Sequence, residues 1–223
     1  NVVLVTKNGM CITFDEKEVR PIGRVSQGVI GIRIEEDDEV IGMESVITGG
    51  KATLLAITEN GFGKRTELDE YRVQLRGGKG ITGMATREED FVKQIFTAST
   101  HDMILFFTNK GKLYKLRGYE IPEAGRTARG TAIVNLLSLD SGEKVSAVIP
   151  IQNFADDKYL LMATKNGLIK KTALKEYDTT RKNGLQGITL KEDDELIAVR
   201  LTDGQDNVVL VTKNGMCITF DEK

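Results

Sequence analysis

Apolar residues along this chain fall in short runs, each cut by a turn, and the same cut returns about every fifty residues. Run and turn coincide at 2–9, 52–61, 103–111, 159–167 and 208–215. The turns read Thr6-Lys7-Asn8-Gly9, Thr58-Glu59-Asn60-Gly61, Thr108-Asn109-Lys110-Gly111, Thr164-Lys165-Asn166-Gly167 and Thr212-Lys213-Asn214-Gly215. Four carry Asn-Gly, and both residues of that pair accept the positive φ of a type I′ hairpin turn. A second strand is predicted after each, as at Met10–Phe14 and Leu113–Leu116. Beyond a loop rich in Arg, Lys and Gly, a third strand is predicted at Val29–Ile34, Ile81–Ala85, Ala132–Leu137 and Ile188–Leu190. An acidic turn leads to a fourth at Val40–Ile47, Phe91–Thr97, Val145–Ile151 and Leu196–Leu201. Each repeat therefore reads as two hairpins.

Val, Ile, Leu and Thr dominate the runs, and turns recur too often for long helices, so the fold class is all-β. An isolated four-stranded sheet leaves both faces wet, whereas neighbours in a ring bury them for one another. The expectation is a propeller-like ring of four-stranded blades, with about four complete blades. It forms one domain over 1–223, with repeats at 1–50, 51–101, 102–157 and 158–206 and a partial repeat at 207–223. Residues 1–17, NVVLVTKNGMCITFDEK, return unchanged at 207–223, although the other hairpins differ freely. Identity over the whole segment points to a spliced, permuted or otherwise rearranged ring, in which two copies compete for one place. A strand-swapped oligomer through the duplicated hairpin is one outcome.

Composition adds exclusions. Apolar residues are 40% and charged residues 29% of the 223, ordinary for a globular protein. Nothing approaches a membrane span or a signal peptide, which makes a cytoplasmic protein the expectation. Cys11 and Cys217 are one residue copied, so there is no disulfide framework. His101 next to Asp102 has no nucleophile arranged about it, and neither Cys-x-x-Cys nor an EF-hand loop occurs. We expect no catalytic residues, no metal and no cofactor.

A net charge of −2 gives no overall basic field. Its distribution is uneven. Arg20 and Arg24, then Arg72, Arg76 and Lys79, then Arg126 and Arg129, then Arg181 and Lys182 fall in successive loops between hairpins. Acid gathers at the other turns, at Glu35–Glu39, Glu88–Asp90 and Glu192–Glu195. A ring would turn this into a basic band, suited to a polyanion. Arg65, Lys170 and Lys171 on the second strands join the candidate set. The sharpest stretch is Gln74-Leu75-Arg76-Gly77-Gly78-Lys79-Gly80, where three glycines would let backbone N–H groups approach phosphates. It lacks P-loop spacing.

QLRGGKG at 74–80, GMATREEDF at 83–91, THDMILFFTNKGKLY at 100–114 and YEIPEAGRTARGTAIVNLL at 119–137 closely resemble the C-terminal domain family of DNA gyrase A and its topoisomerase IV counterpart. The resemblance covers essentially the whole chain. It implies a β-pinwheel, whose blades exchange strands, and double-stranded DNA wrapped on a basic perimeter by phosphate contacts without base readout. It carries the family's box onto Gln74, Arg76, Gly77, Gly78, Lys79 and Gly80, with Leu75 where the family usually has Arg. It implies partners in the other domains of gyrase A and in gyrase B, and a nucleoid-associated, non-catalytic role. Hairpin 51–71 resembles the family's fifth-blade hairpin rather than its first, and the family ring commonly has six blades, which again suggests a splice. The competing reading is a protein-interaction propeller for an acidic partner or peptide.

Overall fold

A computed structural model describes residues 1–47, 52–181 and 184–223. The first repeat supplies β1 (Val2–Thr6), β2 (Met10–Phe14) and β3 (Val40–Ser45). The second supplies β4 (Ala52–Thr58), β5 (Phe62–Glu67), β6 (Ile81–Thr82) and β7 (Val92–Ser99). The third supplies β8 (Met103–Thr108), β9 (Lys112–Arg117), β10 (Thr131–Ala132), the single-turn helix α1 (Val134–Leu137) and β11 (Val145–Ile151). The fourth supplies β12 (Tyr159–Thr164), β13 (Ile169–Ala173), β14 (Leu185–Gln186) and β15 (Leu196–Thr202). The last hairpin is β16 (Asn207–Val211) and β17 (Cys217–Asp221). No described helix is long and apolar enough to cross a membrane.

The antiparallel sheets are ordered β3-β1-β2-β6, β10-β5-β4-β7 and β11-β8-β9-β14. The third strand of a repeat therefore does not pair with its own fourth strand, as two hairpins would require. It is handed back to the preceding repeat, with Ile81 opposite Cys11, Thr131 opposite Gly63 and Leu185 opposite Leu113. It is also two residues long, shorter than expected. The carbonyl of the preceding turn glycine ends it. Gly9 accepts from the N–H groups of Gly83 and Met84 at 2.7 and 3.1 Å, Gly61 from Ile133 at 2.8 Å, and Gly111 from Gly187 and Ile188 at 2.8 and 3.1 Å. The chain bends onto the turn there and leaves the sheet. Val29–Ile34 forms no strand, and part of Ala132–Leu137 is α1.

The turns differ from expectation too. Only the glycine has positive φ, from 74° to 86° across the five, while the preceding Asn or Lys does not. Gly9 donates to Thr6 O at 3.0 Å, and the Thr6 hydroxyl accepts from Met10 N–H at 3.1 Å. This is a turn followed by a left-handed glycine rather than type I′. A buried aspartate in the acidic turn then pins the hairpin. The carboxylate oxygen Oδ1 of Asp38 accepts from Asn8 and Glu39 N–H, that of Asp90 from Asn60 and Phe91, and that of Asp194 from Asn166 and Glu195.

The chain forms two compact units, residues 1–102 with 117–138, and residues 103–116 with 139–223. In the first, Val3, Val5 and Cys11 pack with Leu54, Met84, Val92 and Ile95, and Ile12 and Phe14 on the other face pack under Ile32. In the second, Leu105, Phe107 and Leu113 pack with Leu160, Met162, Ile188 and Val199. Each such side chain contributes about 1.5–3 kcal/mol on burial. The fourth sheet has three strands, β13-β12-β15, and the last hairpin stands as two.

The duplicated segment thus has two environments. Val3 and Ile12 are fully buried, whereas their copies Val209 and Ile218 are 56% and 59% exposed. The N-terminal copy holds the place in the first sheet. Cys11 is buried and its thiol is pushed up to about 12 by that burial, while Cys217 is exposed. Since the thiolate is the nucleophile, iodoacetamide should label one thiol per native chain and both in urea, and Cys217→Ser should take no label until unfolded. Rapid labelling of native Cys217→Ser would put the other copy in the sheet.

Candidate nucleic-acid interface

The loops between second strand and exchanged strand carry the cations, and how each loop is tied down decides which charges face solvent. Arg76 N–H donates to Glu18 Oε2 at 2.8 Å, its Nε to Glu18 O at 3.2 Å and its Nη1 to Ile30 O at 2.5 Å. Arg126 repeats the arrangement one repeat later, donating from N–H to Glu70 Oε2 at 2.7 Å and from Nη1 to Thr82 O at 2.6 Å. Both guanidinium groups clamp one loop to the segment before it. Charge-assisted bonds of this kind are worth roughly 1.5–3 kcal/mol each.

The box glycines serve the same purpose. Gly77 N–H donates to Gly31 O at 2.7 Å, and Gly78 O accepts from Arg33 N–H at 2.9 Å. Gly80, at φ +75°, lies so close to the first hairpin that a Cβ would stand 2.5 Å from Cys11 O. Close backbone approach is what glycine permits, and here one repeat's backbone approaches another's. Gln74 N–H donates to Thr13 O at 2.7 Å, and Leu75 is fully on the surface.

Three other candidates are also engaged. Arg65 is buried and pairs with Glu123 at 2.9 Å. Lys170 Nζ donates to Gly187 O at 3.1 Å, and Lys171 Nζ donates to Glu222 O at 2.5 Å while lying over the Tyr159 ring. Arg20, Arg24, Arg72, Lys79, Arg129 and Arg181 are exposed. Lys79 and Arg129 hold one repeat position, the last before a left-handed glycine (Gly80 and Gly130) and the exchanged strand. Lys182 lies outside the described residues.

Sequence reasoning missed two buried lysines. Lys64 Nζ donates to Gly125 O and Arg126 O at 2.8 and 2.5 Å, and Lys115 Nζ to Tyr177 O and Thr179 O at 2.9 and 2.7 Å. Each gathers carbonyls of the following repeat's loop. A cation at an inward strand position was the available signal. Asp203, Asp206 and Glu222 also bring carboxylate oxygens within 4.8 Å of one another, with both Glu222 oxygens accepting from local donors, Asp206 N–H and the Thr202 hydroxyl.

Burial pulls Lys64 down to about 8, with Glu70 opposing and Arg126 assisting. The unfolded lysine titrates near 10.5, so between these values the unfolded chain binds more protons and stability rises with pH. Relative to Lys64→Met, in which this contribution is missing, urea unfolding should show stability rising with pH from about pH 8 towards pH 10.5. An equal rise in that variant would assign the effect elsewhere.

Comparison with known proteins identifies the family and the fold. A family profile described as DNA gyrase C-terminal domain, beta-propeller, matches residues 1–47, 52–99, 102–152, 158–203 and 206–223. The DNA gyrase A protein of Clostridium acetobutylicum is 49% identical over 85% of this chain and 23% of its own length, and that of Halalkalibacterium halodurans is 47% identical over 84% and 22%. The chain thus spans about a quarter of these relatives. A crystal structure of the C-terminal domain of DNA topoisomerase IV aligns with TM-score 0.64 and 33% identity, over 79% of this chain and 53% of that one. A structure of the DNA gyrase A C-terminal domain aligns with TM-score 0.68 over 89% of this chain and 64% of that one, at 21% identity.

Proposed function

Because the chain belongs to the DNA gyrase A C-terminal domain family and shares its β-pinwheel fold, we propose that it is a non-catalytic accessory module of a type IIA topoisomerase that binds and wraps double-stranded DNA. The observation that carries this reading is the exposed cation at one repeat position, Lys79 and then Arg129, each on a loop clamped to the preceding repeat by hydrogen bonds. Fixed cations at a repeated spacing suit a backbone of repeated phosphates, which positions a duplex without reading its sequence. Specificity would come from DNA deformability.

In this reading the candidates divide by task. Arg72, Lys79, Arg129, Arg20, Arg24 and Arg181 meet phosphates, while Arg65, Arg76 and Arg126 hold the loops that present them. The module works in the cytoplasm, on the nucleoid, beside the other domains of gyrase A and gyrase B.

Titration of a fluorescent duplex against salt tests this. Log affinity should fall linearly with log salt, and the triple variant Arg72→Ala, Lys79→Ala, Arg129→Ala should flatten the slope by about 0.9 per lost contact. Arg76→Ala should instead lower stability to urea by about 2 kcal/mol. A salt-insensitive affinity with competition by an acidic peptide would favour a protein-interaction module.

A further inference from the structure

The loop that carries the glycine box is tied down so that one apolar side chain is left outside. From Val73 to Arg76 the residues alternate as in a strand. Gln74 and Arg76 are partly buried and donate their backbone N–H groups to Thr13 O at 2.7 Å and Glu18 Oε2 at 2.8 Å, while Val73 and Leu75 are exposed. Val73 is 53% and Leu75 81% exposed. Gly77 N–H, on Gly31 O at 2.7 Å, holds the turn that follows. With its neighbours fixed on both sides, the backbone cannot carry Leu75 back onto the protein.

A single exposed apolar residue is ordinary on a protein surface. What sets this one apart is how little the fold asks of its position. One repeat later the same clamp forms between Arg126 and Glu70, and the residue before that arginine is Gly125. A Cβ at Gly125 would meet only Glu70 Oε2, at 3.7 Å, which is ordinary contact. The joint therefore neither needs nor forbids a side chain there, and the leucine is surplus to it. Its sequence neighbours are charged. Arg72 stands three residues before it and Lys79 four after, both exposed, so the loop offers an apolar tip flanked by cations.

Duplex DNA has a place for such a tip. Apolar side chains that enter the minor groove part stacked base pairs and kink the helix, and that groove, about 6 Å wide, admits a leucine though not a helix. Entry costs least at flexible pyrimidine–purine steps such as TA and most in stiff A-tracts. Resting on the DNA-binding reading above, we propose that Leu75 is the residue through which this module senses deformability. It inserts as a wedge between base pairs from the minor groove at flexible steps, with Arg72 and Lys79 on phosphates beside it. The clamp on Arg76 then has a second task, because a rigid loop drives the wedge into the stack where a loose one would yield.

Two duplexes of equal length test this, one with regularly spaced TA steps and one with A-tracts, each carrying 2-aminopurine, whose emission rises when it unstacks. With the full chain at saturation, emission should rise in the TA duplex and stay quenched in the A-tract duplex, and the TA duplex should bind on the order of tenfold more tightly. Leu75→Ala should abolish the rise and level the two affinities. It should leave the salt slope and the urea midpoint unchanged, because it removes neither a phosphate contact nor a clamp. Leu75→Met, still apolar and of similar volume, should keep both the rise and the preference. A salt-dependent complex in which 2-aminopurine stays quenched, or a rise that survives Leu75→Ala, would overturn the wedge and leave the DNA reading standing. Absence of salt-dependent binding to either duplex would overturn that reading and the wedge with it.

Discussion

The carbonyl of a turn glycine, accepting N–H groups from the next repeat, is the interaction on which this architecture rests. It exists because the glycine is left-handed and carries no Cβ, so the following segment can lie against the turn. Once that segment is held, two residues before it complete the preceding sheet, and the loop before those is drawn across the hairpin. Hydrophobic packing between sheets follows from this placement. Met84 and Ile188 reach the cores because the residues beside them are fixed to Gly9 and Gly111.

The same constraint sorts the cations. Arginines whose loops cross the previous repeat meet its backbone carbonyls, as Arg76 and Arg126 do, and lysines rising from the strand below meet the loop's carbonyls, as Lys64 and Lys115 do. A buried cation that saturates carbonyls rigidifies the loop and contributes little field outside. What remains outside includes the charge next to the exchanged strand, at Lys79 and Arg129, together with Arg20, Arg24, Arg72 and Arg181. A box of glycine and arginine is thus first a joint, and the cations beside it are what the joint aims.

Much of this was legible in the sequence. The period, the first hairpin of each repeat, the fourth strands and the acidic turns follow from alternation and turn chemistry, and the family resemblance carried strand exchange with it. Of the exchanged strands, Ile81–Thr82 lies inside its expected span and Thr131–Ala132 overlaps its own, whereas Leu185–Gln186 was missed and the short length was not foreseen, because two residues have no periodicity to read and their partner lies in another repeat. Asn-Gly suggested type I′, but the threonine hydroxyl and the aspartate of the acidic turn hold the asparagine in the ordinary region of φ. The role of Arg76 was hidden because its partners are main-chain oxygens, which leave no mark in sequence. Identical letters at 1–17 and 207–223 also gave no hint that one copy would be buried and the other exposed.

A chain whose units complete their sheets with a strand from the unit after, as the first three do here, has no natural seam between those units. Cutting between hairpins severs an exchanged strand, and cutting at the exchanged strand severs a hairpin from its covering loop. Length can therefore change smoothly only in whole periods, wherever the cut falls.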